Sequence, residues 1–325
     1  MKSICYIIPF FGRLPKSFPL FLKSCDFNPT VNWLIFTNNK DIYSHNKNVK
    51  IITIEFNEVK KMIQKIFSFP ISLDNPRKLC DYKCSYGEAF HDFIKSFDFW
   101  GYCDIDMVFG NVRKFMTEKL LNSYEKIGFQ GHSTLFHNTE ENNSRYRIDT
   151  NNTISYKTVY SNPKGFCFDE NIISKKFQDL SIPQYMGINF AHLEKYNSGF
   201  FLFYFPPIDD YKNKHQIFIL KNGILNRYYL FNDIIFCEEF MYIHFWCRPM
   251  TYEKIKSNSF LIYSDNVKNI KDSFCVNKKN ILHYSKNRKL IFYIKALFLN
   301  WNNISFKKIW FNIRHRHQLK KQGLN

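Results

Sequence analysis

Strand-like and helix-like segments alternate along the first hundred residues of this 325-residue chain, and this alternation constrains its fold more than any other feature. Apolar runs that end in turn residues predict strands over residues 4–11, 31–39 and 49–56. Helically spaced apolar residues predict helices over 17–27 and 57–67, the second with Asn57 as its N-cap. Such alternation is typical of an α/β fold with a mixed, mainly parallel sheet, in which ligands bind at the carboxyl ends of the strands.

The second half of the chain predicts a looser region that is richer in strands. A mostly helical segment over 78–97 leads into a predicted strand in the run FDFWGYCDID, residues 97–106. The asparagine-rich stretch 138–153 is expected to form a loop that can include one helical turn. Further strands are predicted over residues 126–132, 154–160, 197–205, 215–222, 226–232 and 241–246.

The net charge of +18 is concentrated at the C-terminal end of the chain. Residues 273–325 carry twelve Lys and Arg and no Asp or Glu, which leaves +6 for residues 1–272. We therefore expect one main domain over 1–272 and a basic, amphipathic helical extension over 273–325. Its apolar stripes, which include Trp310 and Ile313, are rimmed by basic residues, a pattern typical of a helix at a membrane surface. The alternative is a helical hairpin packed on the main domain with a solvated basic edge.

The cysteines and the N-terminus bear on the compartment. Nine scattered cysteines, an odd number, predict reduced thiols in a cytosolic protein. The first apolar run is short and interrupted by Pro9, so we expect no signal peptide. No run reaches the roughly 18 apolar residues of a membrane-spanning helix. The chain is thus expected to be cytoplasmic, with its basic extension in peripheral contact with a membrane surface.

Two carboxylates interrupt an apolar and aromatic run in FWGYCDIDMVFGNV, residues 99–112. Asp104 and Asp106 follow a predicted strand, and a buried carboxylate is costly unless it is paired, protonated or bound to a metal. An Asp-x-Asp pair is common by chance, and its simplest interpretation is a solvated turn. The apolar residues on both sides favour instead a site for a divalent cation, which prefers oxygen ligands.

Five motifs occur along the chain in this order: KLCDYK at 78–83, FWGYCDID at 99–106, GNVRKF at 110–115, NSGFF at 197–201 and a late histidine, His244. In these motifs the chain resembles the bacterial, nucleotide-sugar-dependent glycosyltransferases of the GT-A fold that build surface polysaccharides. The resemblance covers roughly residues 1–250 and is clearest over 76–116. It implies a GT-A-like, Rossmann-like domain that binds a nucleotide sugar.

The resemblance implies a metal site and the residues around it. Asp106 is expected to bind Mn²⁺ or Mg²⁺, with Asp104 as its partner towards the metal or the ribose, and His244 as a third ligand. The alternative interpretation of His244 is a histidine that is buried in the core and hydrogen-bonded there. Residues expected to contact the nucleotide sugar are Pro9, Phe10, Phe11, Gly12, Arg13, Lys78, Asp81, Lys83, Ile105, His132, Asn197 and Gly199.

Candidates for the catalytic base follow the aromatic run GFCF. Asp169 and Glu170 are placed as an acid on the acceptor side would be, although they also fit the N-cap of a following helix. Weaker candidates are Glu194, Asp209 and Asp210.

The function that this resemblance implies is a hexosyltransferase-type reaction. A sugar would pass from a nucleotide sugar, expected to be UDP-linked, to a glycan acceptor, expected to be lipid-linked, in the synthesis of O-antigen, capsule or lipopolysaccharide. The resemblance thus implies action at the inner face of a bacterial membrane. One alternative is a nucleotidyltransferase that makes an activated sugar, although no Gly-rich phosphate loop is evident near the N-terminus. The other is a nucleic-acid-binding protein that uses the basic tail. Confinement of the excess charge to 273–325, with its apolar stripes, argues against nucleic acid as a partner.

Overall fold

The computed structural model describes residues 1–40, 42, 47–193, 200, 202, 215–286, 292 and 294. Within them the strands are β1 (Ile4–Pro9), β2 (Val31–Thr37), β3 (Val49–Thr53), β4 (Phe99–Cys103), β5 (Met107–Phe109), β6 (Lys126–Gln130), β7 (Ser133–His137), β8 (Gln184–Tyr185), β9 (Phe190–His192), β10 (Gln216–Lys221), β11 (Ile224–Phe231), β12 (Ile234–Phe240), β13 (Tyr242–His244), β14 (Thr251–Tyr252), β15 (Ser259–Tyr263) and β16 (Asn266–Asn269).

The α-helices of the same residues are mostly short. They are α1 (Phe18–Asp26), α2 (Phe56–Lys65), α3 (Leu79–Tyr82), α4 (Tyr86–Ala89), α5 (His91–Ile94), α6 (Val112–Phe115), α7 (Glu118–Ser123), α8 (Glu140–Ser144), α9 (Tyr156–Tyr160), α10 (Ile173–Asp179) and α11 (Lys278–Tyr284). Single 3₁₀ turns cover Pro76–Lys78, Lys83–Ser85 and Arg145–Arg147, and a π-helical turn covers Phe168–Ile172.

A seven-stranded sheet in the order β3-β2-β1-β4-β7-β6-β8 forms the centre of the first half. Strands β1 to β4 are mutually parallel, whereas β7 runs antiparallel to both β4 and β6. The prediction of an α/β fold with a mixed sheet is therefore confirmed, and in this sheet parallel pairing predominates. The parallel part is the one that the strand and helix alternation predicts.

Both faces of this sheet are covered, as β1 illustrates. Cys5 and Ile7 pack into one apolar cluster, whereas Ile4, Tyr6 and Ile8 pack into another, because successive side chains of a strand point to opposite faces. Residues of α2, α4 and α5 complete the first cluster, and residues of α1 complete the second. Each fully buried aliphatic side chain contributes about 1.5–3 kcal/mol to stability.

Two further sheets follow in the second half. A six-stranded sheet has the order β12-β11-β10-β15-β16-β14 and is antiparallel except for the β14–β16 pair. A three-stranded sheet, β5-β13-β9, links the two larger sheets along the chain. Its strand β5 follows β4 of the first sheet, and its strand β13 follows β12 of the six-stranded sheet. Helix α11 packs its buried Ile281 against the six-stranded sheet.

Two local predictions are wrong. Residues 154–160 contain helix α9 and no strand, because Tyr156, Val159 and Tyr160 are buried at helical spacing. The N-cap of α2 is Glu55 and not Asn57. The asparagine-rich stretch contains a helical turn, α8, followed by a 3₁₀ turn, and the Thr139 hydroxyl caps α8 by accepting a hydrogen bond from the Asn142 backbone N–H.

Most of the predicted extension lies outside the described residues. Of 273–325, the structure describes 273–286, 292 and 294. No helix in the described parts of the chain is long and apolar enough to cross a membrane. No disulfide bond joins any of the nine cysteines, all of which lie in the described residues.

Candidate metal centre

The acid pair lies where two parallel strands end side by side. Ile7 of β1 is in register with Tyr102 of β4, and both strands continue in the same direction. Asp104 is two residues beyond Tyr102, at the level of Pro9. Its backbone N–H donates to the carbonyl of His132, in the turn between β6 and β7. The acid pair therefore occupies the ligand-binding edge expected of such a sheet.

The three-stranded sheet brings His244 to the acid pair. In the antiparallel β5–β13 ladder His244 is opposite Met107, the residue that follows Asp106. The His244 Nε2 atom lies 3.3 Å from Asp106 Oδ1 and 3.7 Å from Asp104 Oδ2. Asp106 and His244 are far apart in the sequence, and the register of the β5–β13 ladder brings them together.

These three side chains fit a hard divalent cation. Their ligand atoms all lie within 4.8 Å of one another. Two carboxylates with one imidazole suit Mn²⁺, and carboxylates also suit Mg²⁺. The Asp104 side chain is 36% exposed, so the site opens to solvent, whereas Asp106 is 15% exposed and His244 only 5%. A ligand can therefore approach from the Asp104 side.

Asp106 is held as an anion by its surroundings. Burial disfavours its charge, but His244 and the Cys247 backbone N–H, which donates to Asp106 Oδ2 at 2.6 Å, lower its pKa below the ordinary value. The turn that supplies this N–H is constrained, since Trp246 and Cys247 both have positive φ. The carboxylate is therefore ionised and fixed in orientation.

Lys83 connects the acid pair to a third carboxylate. Its Nζ donates to Asp104 Oδ1 at 2.8 Å and to the Gly131 carbonyl at 2.7 Å, and it lies 3.3 Å from Asp169 Oδ2. Burial opposes its charge, but Asp104 and Asp169 hold its pKa well above the ordinary value. A Cβ on Gly131 would lie 2.5 Å from Asp169 Oδ2, so any larger residue there would displace the Asp169 side chain.

Asp169 and Glu170 lie in the π-helical turn beside Lys83. Burial raises the pKa of Asp169 to about 7 against the opposing effect of Lys83. Burial also raises the pKa of Glu170, which is less buried. Neither caps α10, because the N-cap of that helix is Ile172.

Lys78 and Asp81 take part in a buried structural pair and do not reach the acid pair. Both side chains are 3% exposed, and Lys78 Nζ donates to Asp81 Oδ2 at 2.7 Å. Asp81 also accepts from the backbone N–H groups of Phe166 and Phe168. These two residues therefore hold the segment that leads into Asp169, which explains their burial without a ligand.

The residues at the end of β1 differ in accessibility. Gly12 and Arg13 are exposed, and Gly12 has φ +107, a conformation that favours glycine. Phe11 is buried, with its ring edge-on to Phe56. Pro9 and Phe10 are half-buried beside the acid pair, whereas Ile105 points into the core and offers a ligand only its backbone. Asn197 and Gly199 lie outside the described residues, as do Glu194, Asp209 and Asp210.

A histidine cluster next to the acid pair includes a residue that the sequence did not indicate. His192 of β9 is in register with His244 of the parallel strand β13. Its Nδ1 lies 3.1 Å from His244 Nδ1 and 3.3 Å from His132 Nε2. Burial lowers the pKa of His132 and brings that of His192 to about 3. The sequence indicates His244, because it alternates with Tyr242 along the strand β13. It gives no sign that β13 pairs with β9, and therefore none that His192 lies beside His244.

Fold and site together define an α/β protein with a carboxylate–histidine centre at the carboxyl edge of its parallel strands. The sequence model of a family of unknown function, DUF6625, matches residues 6–271, and the chain belongs to that family. No curated protein matches the chain.

Proposed function

We propose that this protein is a metal-dependent glycosyltransferase with a GT-A-like domain that transfers a sugar from a nucleotide sugar to a glycan. The donor is UDP-linked and the acceptor is lipid-linked, in the synthesis of a bacterial surface polysaccharide. The observation that carries the proposal is His244 Nε2 at 3.3 Å from Asp106 Oδ1, at the carboxyl edge of the parallel strands. A carboxylate pair completed by a distant histidine is the arrangement that the motif resemblance implies.

Asp104, Asp106 and His244 would hold Mn²⁺ or Mg²⁺. The cation would neutralise the two phosphates of the departing nucleotide. Lys83 is a positioning residue in this proposal, because it engages Asp104 Oδ1 and leaves Oδ2 on the His244 side. The exposed backbone at Gly12 permits close approach of the nucleotide beside the same edge.

In this proposal Glu170 and Asp169 act on the acceptor, where a base removes the proton from its hydroxyl group. A base with a pKa near 7 is suited to take a proton from a hydroxyl at neutral pH, and Asp169 has a pKa of about 7. Its side chain is only 5% exposed, however, so the less buried Glu170 is the residue that meets the acceptor, with Asp169 supporting it.

The basic C-terminal residues favour action at a membrane. Beyond residue 286 the sequence has nine Lys and Arg and no acids. Each basic residue near an anionic surface contributes about 1 kcal/mol of attraction. A lipid-linked acceptor at the inner face of the membrane is consistent with this charge.

The test is a panel of nucleotide sugars, with and without Mn²⁺, in which release of the free nucleotide is followed. We expect metal-dependent release from one UDP-sugar, accelerated by a polysaccharide-type lipid acceptor. GDP-sugars are the next donors to test. Consumption of a nucleoside triphosphate and a sugar phosphate with release of pyrophosphate would support a nucleotidyltransferase instead. Undiminished sugar transfer in the presence of chelator would overturn the metal's role.

A further inference from the structure

Three buried imidazoles converge beside the acid pair without a carboxylate among them. His132, His192 and His244 are 4%, 8% and 4% exposed. Their converging atoms are His132 Nε2, His192 Nδ1 and His244 Nδ1, with the first and third lying 3.3 and 3.1 Å from the second. The structure places these rings by strand register and by the β6–β7 turn, so the convergence is built into the backbone.

Hydrogen bonds among the three imidazoles do not account for this arrangement. An imidazole nitrogen carries either one hydrogen or one lone pair, so His192 Nδ1 can make a good hydrogen bond with only one of its two neighbours. A metal ion at the centre would engage all three lone pairs at once. In a tetrahedral zinc site with Zn–N bonds of about 2.0–2.1 Å, two nitrogens are about 3.3 Å apart. The two separations from His192 Nδ1, 3.3 and 3.1 Å, match that spacing, and ligand atoms of the three histidines all lie within 4.8 Å of one another.

We propose that His132, His192 and His244 form a second metal site, selective for Zn²⁺ and similar nitrogen-preferring ions over Mn²⁺ and Mg²⁺. Three imidazoles suit zinc, and Mn²⁺ has the weakest affinity for such ligands among the first-row divalent ions. This site differs in chemistry from the acid pair, which offers mainly oxygen. The proposal does not depend on the glycosyltransferase activity.

The surroundings supply the support that metal-binding histidines require. Such a histidine usually donates its other ring N–H to an oxygen, which fixes the ring. The hydroxyl of Tyr242 lies 3.1 Å from His132 Nδ1, and Asp106 Oδ1 lies 3.3 Å from His244 Nε2. In the zinc-bound form both oxygens accept from these ring nitrogens.

The two sites share His244 through its two nitrogens. The acid-pair site uses Nε2, whereas the zinc site uses Nδ1 and directs the Nε2–H towards Asp106. A neutral imidazole has one lone pair, so His244 cannot complete both sites at the same time. Zinc at the histidine cluster therefore removes a ligand from the acid pair and weakens Mn²⁺ binding there.

The experiment measures metal binding by the full-length, metal-stripped protein. Co²⁺ serves as a coloured substitute for zinc, and Zn²⁺ affinity is measured by competition with a chromogenic chelator. We expect one equivalent of Co²⁺ to give the intense visible absorption of a tetrahedral nitrogen site, and Zn²⁺ to displace it. His192→Gln should abolish that absorption and weaken Zn²⁺ binding by at least about 100-fold, while Mn²⁺ affinity changes by less than about 2-fold.

Two further variants control for indirect effects. His91→Ala removes an exposed histidine outside the cluster and should change neither metal. Asp106→Asn should weaken Zn²⁺ only by about 10-fold, as expected for a supporting oxygen. His132→Gln repeats the test from another element if His192→Gln fails to fold.

Three outcomes would overturn the zinc site. They are absence of the tetrahedral absorption in the wild type, unchanged Zn²⁺ affinity in both folded glutamine variants, and equal loss of Mn²⁺ and Zn²⁺ in them. Zinc binding without sugar transfer would refute only the proposed function, and sugar transfer without zinc binding would refute only this inference.

Discussion

Asp106 uses its two oxygens differently, and that makes it the sharpest single-residue test. Oδ2 accepts from the Cys247 N–H, whereas Oδ1 faces His244. Asp106→Asn keeps an oxygen for the backbone contact and places an amide on the metal side. We expect Mn²⁺ affinity and sugar transfer to fall by at least about 100-fold with little change in unfolding, measured by calorimetric titration and the nucleotide-release assay.

The matched control is a carboxylate at the opposite end of the same strand. Asp98 precedes β4 and accepts hydrogen bonds from the backbone and hydroxyl of Ser3. Asp98→Asn should lower stability by about 1–2 kcal/mol while leaving Mn²⁺ binding unchanged. Equal losses of Mn²⁺ affinity in both variants would show that the acid pair has no special role.

Asp169 predicts a pH dependence of stability. Its pKa is about 7 in the folded protein, whereas its ordinary value is 3.8. Between those values the folded state retains a proton that the unfolded state has released, so the stability contribution of this group falls as pH rises from about 4 to 7. In Asp169→Asn this contribution is absent. Urea unfolding should show that the wild type loses about 2 kcal/mol more than the variant between pH 5 and pH 7.5.

An identical pH dependence of unfolding in both proteins would contradict this prediction. Glu170→Gln, which alters the neighbouring and less buried carboxyl, serves as the comparison and should change the slope less.

Among the elements, α3 owes its position to a buried ion pair. Asp81 joins Lys78 and the backbone of the segment that leads to Asp169. Asp81→Asn leaves the Lys78 charge buried without its counter-ion, which should cost about 3–5 kcal/mol of unfolding free energy in urea. The exposed Lys60–Asp74 pair is the control, and Asp74→Asn should cost less than about 1 kcal/mol. Equal losses in the two variants would contradict a structural role for the buried pair.

The elements also show what the sequence could predict. Strands β1 to β4 can be predicted because each lies in a mainly apolar run, whereas residues 154–160 give a false strand signal because Ile154, Tyr156 and Thr158 alternate as in a strand. The acid pair directly follows a strand that can be predicted and His244 lies in another, so the sequence makes both candidates. His192 was missed, because which strands pair depends on contacts between distant parts of the chain, and a three-residue strand such as β9 gives no periodic signal.

The positive charge of the whole molecule is concentrated at its C-terminal end, and this predicts binding to anionic membranes. A chain truncated after residue 294 loses seven of its basic residues and no acids, and it keeps Phe292, which is buried against Arg248. We expect it to keep the fold and metal binding, and to bind vesicles with anionic lipids at least about 100-fold more weakly in a sedimentation assay. Retained vesicle binding would contradict the membrane role, and loss of RNA or DNA binding instead would favour the nucleic-acid alternative.

The β5-β13-β9 sheet joins parts of the chain that the ribosome makes at different times. Asp106 and His244 are 138 residues apart in the sequence. At a synthesis rate of about 5–20 residues per second, a ribosome makes the acid pair roughly 7–28 s before the histidine. During that interval the growing chain has two carboxylates at a strand end and no β13 to cover them. The centre is thus completed only after residue 244 has been made, and a chain that stalls before that residue carries no assembled site.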